Sequence, residues 1–72
     1  MKNFKKRLRA LRKHHGYTQE YVAAKVGVKC VSVANWELGN SGIMAAPLLK
    51  CALLFSVNPY WLLFGKPNLP KK

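Results

Sequence analysis

Lys29, Ser32, Ala34 and Asn35 are the residues whose types and spacing best suit chemistry with a polar partner. Val28, Val33 and Trp36 form an apolar stripe among them, which leaves these four on the other side of one short helix. An asparagine amide donates and accepts hydrogen bonds at once, and a lysine brings a positive charge. The charge of the whole chain indicates the partner. Thirteen Lys and Arg stand against two acids, for a net charge of +11. Such an excess favours polyanions and must be tolerated as self-repulsion in the compact state. Catalysis has no comparable support, because the chain has no Asp and its two acids, Glu20 and Glu37, sit where helices begin and end. His14 and His15 are adjacent and cannot face one metal from one helix face, while Cys30 and Cys51 lie far apart and in no CxxC pair. No metal, cofactor or small-molecule substrate is expected, and the chain is not read as an enzyme. Two free thiols suit a reducing, cytoplasmic compartment.

Two short helices and a tight turn must position those residues, within the stretch TQEYVAAKVGVKCVSVANWEL at 18–38. Thr18 is a good N-cap, followed by Gln19 and Glu20 in a first turn whose exposed N–H groups favour an acid. Val22, Ala23 and Val26 then share a face, and Gly27 stands where the chain leaves the helix with positive φ. Ala23 is small where the two helices cross. Around this pair the pattern predicts three more helices, making the chain all-α. The first covers 3 to 14 or 15, with Phe4, Leu8 and Leu11 at i, i+4, i+7 and Gly16 as its stop. It is strongly basic: seven of the thirteen cations lie between Lys2 and Lys13. A fourth helix at 45–55 repeats Leu48, Cys51, Ala52 and Phe55, with Pro47 tolerated in its first turn. Asn58 and Pro59 open a short fifth helix that Gly65 ends. Residues 1–65 thus read as one domain and 66–72 as a flexible basic tail. No apolar run approaches the roughly 20 residues that cross a bilayer, and the basic start lacks the features of a secretory signal.

Together these residues form the pattern of a DNA-binding helix-turn-helix. They resemble the lambdoid-phage Cro and repressor family, the Xre-type helix-turn-helix proteins, and within it most resemble the Cro type. The resemblance covers roughly 4–65. It rests on the Q-E-x-V-A-x-x-V-G-V opening, the Trp36-Glu37-x-Gly39 close and the later S-V-N-P-Y-W-L-L-F-G. The chain departs from the family at Lys29, Ile43 and Tyr60. A Ser or Thr cap, a proline and an aspartate-like residue are usual there.

The resemblance implies a compact five-helix, lambda-repressor-like domain whose third helix enters the major groove of operator DNA. Carried over by position, it puts Cys30, Val31 and Asn35 at the main base-facing sites, with Lys29, Ser32 and Ala34 beside them. Asn can bond adenine, Lys can donate to guanine, and Val or Ala can touch a thymine methyl. Gln19, the Asn40–Ser41 loop, and Lys6 and Lys13 of the basic helix are expected at phosphate. The family also implies an ion pair between Arg12 and Glu37 and dimer contacts from the fourth and fifth helices. Pro59, Tyr60 and Phe64 are assigned to a partner copy, and Trp61 mainly to the core.

The expected protein is a Cro-like repressor of phage or prophage type, a homodimer on a palindromic operator, acting in the bacterial cytoplasm at the nucleoid. Nothing after Lys72 suggests a separate oligomerisation or self-cleavage domain, which favours Cro over the longer repressors. Two other readings stay open. An antitoxin would carry an acidic or extended toxin-binding segment, which is not found. A basic RNA-associated protein would use the same helices without sequence specificity.

Overall fold

The computed structural model describes residues 3–65. They form α1 (Phe4–His14), α2 (Gln19–Val26), α3 (Cys30–Leu38), α4 (Ala45–Phe55) and α5 (Pro59–Phe64). The expected basic tail at 66–72 lies outside the described residues. No described helix is long and apolar enough to cross a membrane.

Local chemistry explains where these helices begin and end. The Thr18 hydroxyl accepts from the Tyr21 N–H at 3.0 Å and opens α2. Gly27 closes α2 at φ +84°, a conformation that costs a side-chain-bearing residue about 1 kcal/mol. The Asn58 side chain accepts from the Tyr60 N–H at 2.7 Å, and Pro59 follows at the first helical position of α5. α4 ends differently: Ser56, not a glycine, takes the left-handed conformation at φ +57°.

The apolar stripes then dictate the packing. α2 packs on α3 and α4, α1 on α3 and α5, and α4 on α5. Their shared core holds Phe4 and Leu8 of α1, Val22, Ala23 and Val26 of α2, and Val33 and Trp36 of α3. Cys51 and Phe55 of α4 and Leu62 of α5 complete it. Trp61, expected in the core, is only half-buried against it; the fully buried side chain of α5 is Leu62. The reason is visible in α1. Arg7 donates from Nε to the Leu62 carbonyl at 2.9 Å and from Nη2 to the Leu63 carbonyl at 2.8 Å. Its guanidinium carbon stands 6.0 Å from the centre of the Trp61 ring. Arg7 thereby satisfies carbonyls at the end of α5, and Trp61 covers the guanidinium instead of filling the core.

Cys51 gives the core a chemical readout. Burial in apolar surroundings pushes its thiol up from 9.0 to about 11. The folded state therefore holds this proton more tightly than the unfolded state does. The associated stability is complete below pH 9.0 and is lost as pH rises toward about 11. Cys30, half-buried, should react with a thiol reagent at neutral pH while Cys51 stays protected until the protein unfolds. A thiol titration with and without denaturant checks this; equal reactivity of both cysteines in the native protein would contradict the packing.

Candidate nucleic-acid interface

The third helix presents one side to the core and one to solvent. Val33 and Trp36 are buried, and Cys30 packs partly against the same core. Opposite them, Val31, Ala34, Asn35 and Leu38 follow one another at i, i+3, i+4 and i+7, so they share a face. Val31 is 59% exposed, Leu38 is more so, and Ala34 and Asn35 are half-buried between them. Lys29 is exposed at the N-cap but makes no side-chain capping bond, and Ser32 is half-buried one turn on. The outward row is thus largely apolar, with Asn35 as its amide. Cys30 turns toward the core more than the family pattern implied.

A clamp at the other end holds α3 in place. Arg12 of α1 donates from Nε to Glu37 Oε2 at 2.7 Å and from Nη2 to Oε1 at 3.0 Å, a two-point ion pair. Its remaining Nη1 donates to the Tyr17 carbonyl at 3.0 Å. Gln19, the first residue of α2, donates from Nε2 to Glu37 Oε1 at 3.2 Å. One carboxylate thus receives groups from α1 and α2, while the guanidinium also grips the turn before α2. Both charges are shielded, with the Arg12 side chain 14% and the Glu37 side chain 5% exposed. The hydrogen bond to Glu37 is the main reason that the Arg12 pKa lies above its ordinary value. Every buried side-chain polar atom among the described residues has a partner.

Two cations of α1 beyond those expected from the sequence, Lys5 and Arg9, line pockets at this face. Lys5, Arg9 and Arg12 recur at i, i+4, i+7 and so share the side of α1 that meets α3. Arg9 lines a shallow pocket with Arg12, Gln19, Ala34, Glu37 and Leu38. Lys5 lines another with Asn40 and Ser41 of the loop after α3. Its side chain passes so close to Gly39 that an added Cβ would stand 3.0 Å from Lys5 Cδ, at a position whose φ of +81° already favours glycine. Lys6 and Lys13 are exposed further round the same helix, at i−3 and i+4 from Arg9, so Arg9 stands between them and Lys5. Helical phase could have singled out Lys5 and Arg9, since each is in register with Arg12.

The remaining expected sites lie elsewhere. The Tyr60 and Phe64 rings meet at 4.8 Å on α5, tilted by 49°, with Phe64 exposed and Pro59 half-buried. His15 Nδ1 lies 2.9 Å from the Leu11 carbonyl, and its ring forms a cluster with those of Tyr17 and Phe55, which also stack on each other. Among the described residues, no group of three His, Cys, Asp or Glu could hold a metal ion.

Comparison with known proteins agrees with this arrangement. The model of a family described as a helix-turn-helix domain matches residues 5–66. The HTH-type transcriptional regulator DicA of Escherichia coli strain K12 is 34% identical over 59 residues, which are 82% of this chain and 44% of DicA. The chain thus spans less than half the length of that relative. Among solved structures, the solution structure of the DNA-binding domain of the P22 C2 repressor superposes with a TM-score of 0.80 at 26% identity. That match covers 94% of this chain and 90% of the domain.

The clamp gives a direct expectation. Arg12→Ala leaves Glu37 shielded without its cation and should destabilise the fold by about 3–5 kcal/mol. Removing Glu37 as well should recover part of that loss. A double-mutant cycle in thermal unfolding measures the coupling, and strictly additive losses would mean that the pair does not hold the helices.

Proposed function

The chain belongs to the helix-turn-helix domain family, and from that membership we propose that it is a sequence-specific DNA-binding transcription repressor. In this reading it is Cro-like, of phage or prophage type, and acts on the nucleoid in the host cytoplasm. It occupies a palindromic operator as a homodimer and so excludes RNA polymerase. The observation that carries the reading is the outward row of α3, clamped at Glu37 and standing beside Lys5 and Arg9. The names of the relatives add support: one is called a transcriptional regulator and the other a DNA-binding repressor domain.

A major groove admits one α-helix, and the residues near its N-terminal end meet base edges. Asn35 bonds N6 and N7 of adenine, while Val31 and Ala34 touch thymine methyl groups. Lys29 reaches guanine and Ser32 bonds either base, with Cys30 as a small neighbouring contact. Most of these groups suit A·T pairs, so the half-site should be rich in them. Gln19 gives its second amide hydrogen to phosphate while Glu37 holds the first. The backbone at Asn40 and Ser41, with Lys5 and Arg9, grips the flanking phosphates. Lys6 and Lys13 add to the attracting field. Two half-sites lie about 10 base pairs apart, one helical turn, and the copies meet through Pro59, Tyr60 and Phe64.

Asn35→Ala should cost about 1–3 kcal/mol on the best operator and leave binding to random DNA unchanged at the same salt concentration. Replacing contacted thymines by uracil removes only the methyl groups. It should weaken the native protein and weaken Val31→Ala less, because only the contact of Ala34 and a smaller one at 31 remain. Equal losses on operator and random DNA, or equal responses to uracil, would count against base reading by α3.

A further inference from the structure

The outer face of α4 is used by neither the clamp, the core nor the outward row of α3. Ala46, Leu49, Lys50 and Leu53 recur on it at i, i+3, i+4 and i+7, and all four are exposed. Leu53 is 79% and Leu49 54% exposed, high for leucines in so small a domain. Leu53 stands between two shallow grooves. One is apolar, lined by Leu49, Ala52, Leu53, Ser56, Val57 and Pro59. The other has a cationic rim, where Lys25 of α2 and Lys50 meet Leu53 and Leu54. The Lys25 ammonium lies 5.5 Å from the centre of the Tyr21 ring. That of Lys50 lies beside the Gly27 turn, within 3.8 Å of where a Cβ would stand there. Neither lysine has an acid to pair with among the described residues, since the one ion pair there joins Arg12 to Glu37.

We propose that this face of α4, together with Lys25, docks an acidic amphipathic helix of another protein. Charge complementarity selects the occupant. Two unpaired ammonium groups beside two exposed leucines call for carboxylates next to an apolar stripe. A second copy of the chain carries +11 and has only Glu20 outside the clamp, so on this face it would set cation against cation. The surface assigned above to a paired copy meets this face only at Pro59. A phosphate backbone would answer the lysines and leave Leu49 and Leu53 unburied.

The shape of the face suits a helix. Leu49 and Leu53, one turn apart, make a ridge with a groove on either side of Leu53, and ridges and grooves of this kind are what a second helix packs against. The 11 residues of α4 make a helix about 16 Å long, which a partner of about three turns would match. Its apolar residues fill the groove between Leu49 and Val57. Its Asp or Glu side chains, one turn away, reach Lys25 and Lys50. The apolar contact supplies most of the affinity, and the exposed charges fix orientation and exclude basic partners.

Selection of helix-forming peptides from a random library on the native, DNA-free chain tests the docking face independently of any DNA reading. Enriched peptides should carry Leu, Ile or Phe at helical spacing beside Asp or Glu. Leu53→Ala, and separately Lys25→Gln with Lys50→Gln, should each weaken the best peptide about tenfold or more. Lys6→Gln with Lys13→Gln removes the same charge from α1 and should change binding far less, which separates docking from general attraction to a cation. All these side chains are exposed, so the variants should keep the native helical circular dichroism and melting temperature. Equal losses from the two lysine pairs, or indifference to Leu53→Ala, overturn the proposal. Enrichment of peptides without the acidic and apolar pattern overturns it as well. Two other occupants would reveal themselves. Binding to anionic lipid vesicles that Leu53→Ala abolishes, without peptide binding, would assign the face to a membrane. Self-association of the peptide-free chain that Leu53→Ala abolishes would assign it to a second copy.

Discussion

A shielded carboxylate is costly unless its charge is answered, and Glu37 is answered from two directions. Arg12 binds it with a planar two-point fork, and Gln19 adds an amide hydrogen. The consequence reaches beyond the local pair. α3 has nine residues, no side-chain cap at Lys29, and six residues (two Val, Cys, Ser, Asn and Trp) that are weak in intrinsic helix preference. Such a helix takes its stability from what it packs against. Val33 and Trp36 fix its inner side to the core, and Glu37 fixes its rotation and end relative to α1 and α2. Remove the guanidinium, and the outward row from Val31 to Leu38 loses its fixed direction. This is why the ion pair belongs to the account of recognition as well as to that of stability.

The distribution of charge supplies the second constraint. The cations crowd into α1, whose inner residues Phe4 and Leu8 are buried while Lys5 and Arg9 flank the face that carries α3. α4 and α5 themselves carry one charged residue, Lys50, but Arg7 bonds the α5 carbonyls and Lys25 joins Lys50 beside Leu53 and Leu54. The positive charge is thus densest on α1 and thinner, though present, around α4 and α5.

Much of this was legible in the residues because it depends on local rules. Thr18, Gly27 and the Asn58–Pro59 pair mark helix ends through their own hydrogen bonding and backbone preferences, and the five helices fall where those signals stand. Arg12 and Glu37 were paired through family resemblance, and the geometry bears that pairing out. What local rules could not supply was the rotation of one helix against another. Helical phase relative to Arg12 points to Lys5 and Arg9, but only packing shows that their side chains line the pockets beside α3. The same limit applies in α5. Either Trp61 or Leu62 could fill the core by pattern, and the bonds from Arg7 to the α5 carbonyls bring Leu62 inward. In α4 the repeat of Leu48, Cys51, Ala52 and Phe55 already leaves Leu49 and Leu53 off the core face, where the structure has them exposed.

The central claim is that a rigidly clamped α3 reads base pairs on two symmetric half-sites. Selection of bound sequences from random duplex DNA, with native protein at physiological salt, tests it most directly. The account predicts a two-fold symmetric consensus, rich in A·T pairs, with half-sites about 10 base pairs apart. Recovery of unrelated sequences, bound with an affinity set by salt alone, would contradict it.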